Sequence, residues 1–174
     1  MKYLVKLFVV TFVTIICTYA SAEQKIVYLD MKYVLNQSKP GKAAQDYLKS
    51  TFDSNQKKFT DQEKKLKKEE EDLISKKNVL SKEEYKNKAD SLRKKVATYQ
   101  SERRKSLEKI AIQRAKARQD LIKALNPIIN KYINENDVSL VLDKKNVLGA
   151  HKDFDITNII TEKLNKELPS LNLN

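Results

Sequence analysis

Between Phe59 and Leu80 the chain reads FTDQEKKLKKEEEDLISKKNVL. Apolar residues recur at positions 59, 66, 73 and 80, with polar side chains at most positions between them. One apolar residue in every seven is half of a coiled-coil seam, which places apolar residues at both a and d of each heptad. The pattern predicts a helix that touches a partner along a thin line and faces water elsewhere.

The surroundings support a long helical region. The two glycines are Gly41 and Gly149, and the three prolines are Pro40, Pro127 and Pro169. Residues 42–126 therefore hold neither helix breaker, and Lys, Glu, Ala, Leu, Gln and Arg dominate there. One uninterrupted helix over this span would be about 125 Å long. An interruption is written near residue 79. Lys76 and Lys77 suit the negative end of a helix dipole. Ser81-Lys82-Glu83-Glu84 matches the S-x-x-E capping box that opens a helix. The turn is placed at 78–81, and the region reads as an antiparallel hairpin.

That register pairs apolar residues across the turn: Leu73 with Tyr85, Leu66 with Leu92, Phe59 with Tyr99 and Leu48 with Ile110. Phe52 meets Leu107 one residue off. Other rungs are polar on one side, as in Val96 against Gln62, Ala89 against Glu69, and Asn55 against Arg103. The arms are expected to be held weakly and to bend or splay.

The flanking segments change period. Lys25–Asp30 reads as a short strand, Met31–Gln37 as a helical turn, and Pro40-Gly41 as the opening of the arm. Val138–Leu142 is expected as a second strand, Asp143–Asn146 as a turn and Val147–Gly149 as a third strand. Ile156, Ile159, Ile160, Leu164 and Leu168 give an amphipathic closing helix, ended by Pro169. The expected class is mostly α with a small β part (α+β): a long hairpin projecting from a small body. Residues 23–40 and 127–174 form the body, and residues 41–126 the arm. Such a body is a small counterweight to the arms. Its open strand edges and lone amphipathic helix call for partners, so it is expected to oligomerise.

The first 22 residues follow another logic. MKYLVK is basic, LFVVTFVTIICTY is an uncharged run of 13, and Ala20-Ser21-Ala22 is an A-x-A pattern. Basic, apolar and small residues in that order make a secretory signal peptide, with cleavage expected after Ala22. The run is short for a membrane span, which needs about 20 apolar residues. Cys17 suggests a lipoprotein signal, but Ile16 stands where a small residue is needed. Cys17 leaves with the signal, so neither a disulfide scaffold nor a Cys-ligated metal site remains.

Charge then narrows the partners. Residues 42–126 carry 24 Lys and Arg against 14 Asp and Glu. The rest of the mature chain carries 9 of each. The positive charge thus belongs to the arms. Lys76, Lys77, Lys82, Lys86 and Lys88 cluster at the tip, where anionic lipid would attract them. Nucleic acid is disfavoured by export and by the absence of RRM or KH motifs. A histone-like role would require the signal to remain uncleaved.

Candidate chemistry is sparse. His151 is alone, and two glycines cannot build a phosphate loop. Glu69-Glu70-Glu71-Asp72 points in several directions on a helix and has lysines at i±3 and i±4. No catalytic or metal site and no cofactor is expected, and the chain reads as a non-enzyme.

The start KIVYLDMKYVLNQS, the basic hairpin and the end VSLVLDKKNVLGAHKDFDITNIITEKLN together resemble the Skp (OmpH) periplasmic chaperones. The resemblance spans 25–168. It implies a jellyfish-like homotrimer, with three hairpins around a cavity that holds unfolded outer-membrane proteins without ATP. It also implies contact with anionic lipid or lipopolysaccharide. On that reading the apolar seam (Phe52, Phe59, Leu66, Leu73, Tyr85, Leu92 and Tyr99) would touch clients. A client-free tethering coiled coil that binds anionic lipid is the alternative.

Overall fold

A computed structural model describes residues 24–173. The expected signal peptide lies outside these residues.

The order of elements is β1 (Lys25–Leu29), α1 (Met31–Gln37), α2 (Lys39–Ser75), α3 (Lys82–Glu135), β2 (Val138–Asp143) and α4 (Thr157–Glu167). The long pair α2 and α3 forms the hairpin, with 37 and 54 residues. At 1.5 Å per residue these are roughly 55 and 80 Å long. The reversal falls at Lys76–Leu80. Ser81 Oγ accepts from Glu84 N–H at 3.2 Å, and Glu84 Oε2 accepts from Ser81 N–H at 3.1 Å. The capping box read from sequence is therefore complete. Hydrogen bonds from Ser81 hold the Glu84 carboxyl below the usual range. A carboxyl lowered in the folded state stabilises at neutral pH, and that contribution fades as pH falls through the lowered value.

At the other end of α2, the chain kinks between α1 and α2 at one buried residue. Ser38 ends α1 and caps α2, its Oγ accepting from Gly41 N–H at 3.3 Å. The kink brings the Leu35 carbonyl close to Gly41: a Cβ there would lie 2.1 Å from that oxygen. No side chain can absorb this overlap, because the neighbour is backbone. Gly41→Ala is expected to destabilise the protein by about 1–3 kcal/mol. Chemical denaturation would register this as an earlier midpoint; an unchanged midpoint would mean the kink relaxes freely.

The second long helix does not stop at the proline. Pro127 lies inside α3, which continues to Glu135. The proline costs one backbone hydrogen bond and crowds the preceding turn. Burial of Leu125, Ile128 and Tyr132 on both sides of it favours continuation. The body core joins these residues to Val27, Leu29, Val34, Leu35, Leu121, Val138, Ile156, Ile160 and Leu164. The root of α3 is thus one wall of the body, and the arm and the body share a single continuous element.

The strands β1 and β2 pair in parallel, Ile26 with Leu140 through Leu29 with Asp143. Parallel neighbours need a long crossover, and here the crossover is the whole hairpin. Asp137, at φ 51°, turns the chain from α3 into β2. The third strand expected at 147–149 does not form. Asp143 captures the Lys145 N–H at 3.2 Å and starts a 3-10 turn over Lys144–Asn146, which leads the chain off the sheet. The other edge of β1 is taken by Asp155, with Ile156 N–H donating to Tyr28 O at 3.0 Å. Asp30 N–H donates to Thr157 Oγ1 at 2.9 Å, tying the start of α4 to the end of β1.

Candidate functional site

The apolar residues read from the heptad pattern meet along the hairpin. Phe59 and Tyr99 pack edge to face with ring centroids 6.0 Å apart. Leu66, Leu73, Tyr85 and Leu92 line one open groove together with Ile74, Ala89 and Val96. Phe52 and Leu107 line a second groove nearer the root, beside Phe59, Tyr99 and Ile110. The register centred near residue 79 is therefore the observed one.

Exposure along the seam is graded. Phe59 is buried between the arms, whereas Leu66, Leu73, Tyr85, Leu92 and Tyr99 are half-buried and Phe52 is exposed. The half-buried residues present one edge to the partner helix and the other to solvent. This follows from one apolar residue per heptad, which leaves no second row to cover the first. Polar contacts flank the seam. Lys95 pairs with Glu69 at 2.6 Å, and Tyr99 OH donates to Glu63 at 3.3 Å. Burial at the seam pushes the Tyr99 phenol up, and Glu63 adds to the shift.

One polar rung is unsatisfied. Gln62, placed opposite Val96 by the register, has its Oε1 buried with no hydrogen-bond partner among the described residues. An orphaned buried acceptor costs about 1–3 kcal/mol. Gln62→Leu is expected to firm the outer arms by an amount of that order. Amide hydrogen exchange along α2 should slow in the variant; unchanged exchange would show that the rung is already solvated.

Lys76, Lys77, Lys82, Lys86 and Lys88 are all exposed at the tip. Of this group, Lys76 and Lys88 line a common cleft, beside Glu69, Asp72 and Lys95. Sequence reasoning passed over two apolar neighbours. Val79, at the turn, is 82 % exposed, and Ile74, one turn before it, is 59 % exposed. Neither keeps the seven-residue spacing, although Ile74 borders the seam groove, and that mismatch was the available signal.

A second surface lies on the body. Ile26 and Leu140, paired in register, and Leu142 point away from the core and are exposed on one face of the two-stranded sheet. Leu148 is fully exposed in the loop beyond. Two strands alone make a marginal sheet, and an apolar outer face on such a sheet is an unfinished layer.

Among the described residues no group of three His, Cys, Asp or Glu could hold a metal. His151 is exposed, with its Nδ1 3.0 Å from an Asp153 carboxylate oxygen. No helix among these residues is long and apolar enough to cross a membrane.

The molecule is similar to a solved structure of an OmpH-like protein from Caulobacter crescentus, with a TM-score of 0.80 over 89 % of this chain and 92 % of that one. Sequence identity between the two is 21 %, so the likeness speaks for the fold. Among curated proteins, sequence comparison finds no match. The family described as Outer membrane protein (OmpH-like) matches residues 25–164, from the first strand of the body through both arms to the closing helix. With the hairpin, the parallel strand pair and the first two turns of the closing helix inside that span, the chain belongs to the OmpH-like family.

Proposed function

We propose that this protein is a periplasmic holdase chaperone. It keeps unfolded outer-membrane proteins from aggregating by holding them between the basic arms of a homotrimer. The observation that carries this reading is the half-covered seam of the hairpin. Its apolar residues are numerous, shallow and edge-exposed, and they sit in grooves rather than in an enclosed cavity. Many weak contacts of this kind suit a client without fixed shape, and binding of this strength is reversed without nucleotide hydrolysis.

Family membership supports the role, and the Caulobacter crescentus relative is itself described, provisionally, as an outer membrane chaperone. The excess of lysine on the arms supports attraction of acidic clients, with binding that weakens as salt rises. The apolar face of the body sheet supports assembly, because three copies would bring three such faces together around an axis.

The test is direct. A urea-unfolded outer-membrane β-barrel protein is diluted into buffer with and without the purified chain, and light scattering is followed. One trimer per client should suppress aggregation. Undiminished aggregation at that ratio would end the chaperone reading.

The exposed Val79 and Ile74 among the tip lysines favour a second reading, in which the arms tether the protein to anionic lipid without clients. Flotation with anionic vesicles, together with failure in the aggregation assay, would favour it.

A further inference from the structure

The segment after α4 does not leave the body. It turns back and lies against the root of the arms. Leu173 is buried against Ala44 of α2 and Ala117 of α3, both also buried, and Leu171 packs beside them. Two small residues facing each other across the hairpin open a notch at this level, and Leu173 fills it. Leu171 is half-buried, Asn172 exposed and Leu173 buried. This is the two-residue alternation of an extended chain.

Polar contacts match that reading. Gln113 of α3 donates Nε2–H to the Leu173 carbonyl at 2.7 Å. Its Oε1 is buried and has no hydrogen-bond partner among the described residues. A side-chain amide holding one main-chain carbonyl, with its acceptor still open, is suited to an extended peptide, which presents C=O and N–H groups in alternation. Beside Leu173 lies an open cleft along one face of α3, lined by Gln113, Lys105, Glu108, Lys109, Lys116 and Ile112, the last of which is 60 % exposed.

The geometry points to a peptide-binding groove at the arm root, formed by Ala44, Ala117, Gln113 and Ile112. Its ligand is an extended polypeptide segment with aliphatic residues two apart, and Leu171-Asn172-Leu173 occupies it as a built-in competitor. The inference rests on the chaperone reading for its natural ligand: strands of membrane β-barrels alternate apolar and polar residues with the same period. Because the competitor is tethered, it acts at an effective concentration that free peptide must exceed. Clients would therefore displace it only when they also engage the arms.

The probe is a fluorescein-labelled peptide of sequence PSLNLN, followed by fluorescence anisotropy. A chain ending at Leu168 keeps the core contact of that residue, gives up that of Leu171, and vacates the groove. It should bind the probe saturably and at least about tenfold more tightly than the full chain. The full chain carrying Leu173→Ser alone, which leaves the Leu171 contact with the body core in place, should behave like the shortened one, which guards against a truncation artefact. Ala117→Leu fills the notch, and Gln113→Leu removes the amide. Each should abolish probe binding in the shortened chain, as should replacing both leucines of the probe by serine.

Equal binding by full and shortened chains, or binding indifferent to Ala117→Leu, would overturn the groove. Probe binding without suppression of β-barrel aggregation would keep the groove and remove the chaperone reading. Suppression without probe binding would do the reverse.

Discussion

Leu140→Asp is expected to turn the proposed homotrimer into folded monomers. Leu140 lies on the outer face of β2, 48 % exposed and opposite Ile26. In an isolated chain an aspartate there stays in water and costs little. In an assembly built on this face the carboxylate would be buried without a partner, at a cost of several kcal/mol for each copy. Symmetry repeats the penalty in every subunit. Light scattering should therefore fall from the mass of three chains to that of one, while circular dichroism keeps its helical signal. A variant that still assembles would place the interface elsewhere, and the cavity between arms would lose its architectural basis.

Leu125→Ala is expected to produce a large loss of stability. Leu125 is fully buried where the root of α3 meets the body core. Removing its side chain leaves a cavity among residues drawn from nearly every element. Such truncations cost about 2–5 kcal/mol, against a typical total of 5–15 kcal/mol for a domain. The melting temperature should fall on the order of 10 °C. Leu66→Ala is the internal comparison, because Leu66 is only half-buried and contacts one neighbouring helix. Its melting temperature should move much less. Similar shifts for the two variants would mean that the arm seam, and not the root of α3, holds the molecule together.

The contrast between these leucines shows which parts of the protein were legible in the sequence. Leu66 could be placed from its spacing to Phe59, Leu73 and Leu80, and its partner Leu92 from reflection about the turn. Ser81 and Glu84 located that turn because a capping box needs only residues three apart. The seam residues of the candidate site were legible for the same reason. Their exposure was less so: Phe59 is buried and Phe52 open, although both were read as one stripe. That difference depends on the neighbours at each level of the hairpin. At the tip, Val79 and Ile74 escaped notice because lysines filled the same stretch and neither residue keeps the seven-residue spacing.

The sequence by itself determined the hairpin, its register and the charge on its arms, since each follows from periodicity, breakers and caps acting over a few residues. Tertiary structure decided how the body closes. Val147–Gly149 had the composition of a strand, but Asp143 turned the chain away and Asp155 had taken the edge of β1. Pro127 looked like a boundary, and the helix runs through it because both sides are anchored in the core. Leu171 and Leu173 carried no local signal. Their place was set by two alanines and a glutamine distant in sequence, which become a groove only once the arms are side by side. Contacts between residues far apart in the chain have no period to read, so packing decides them.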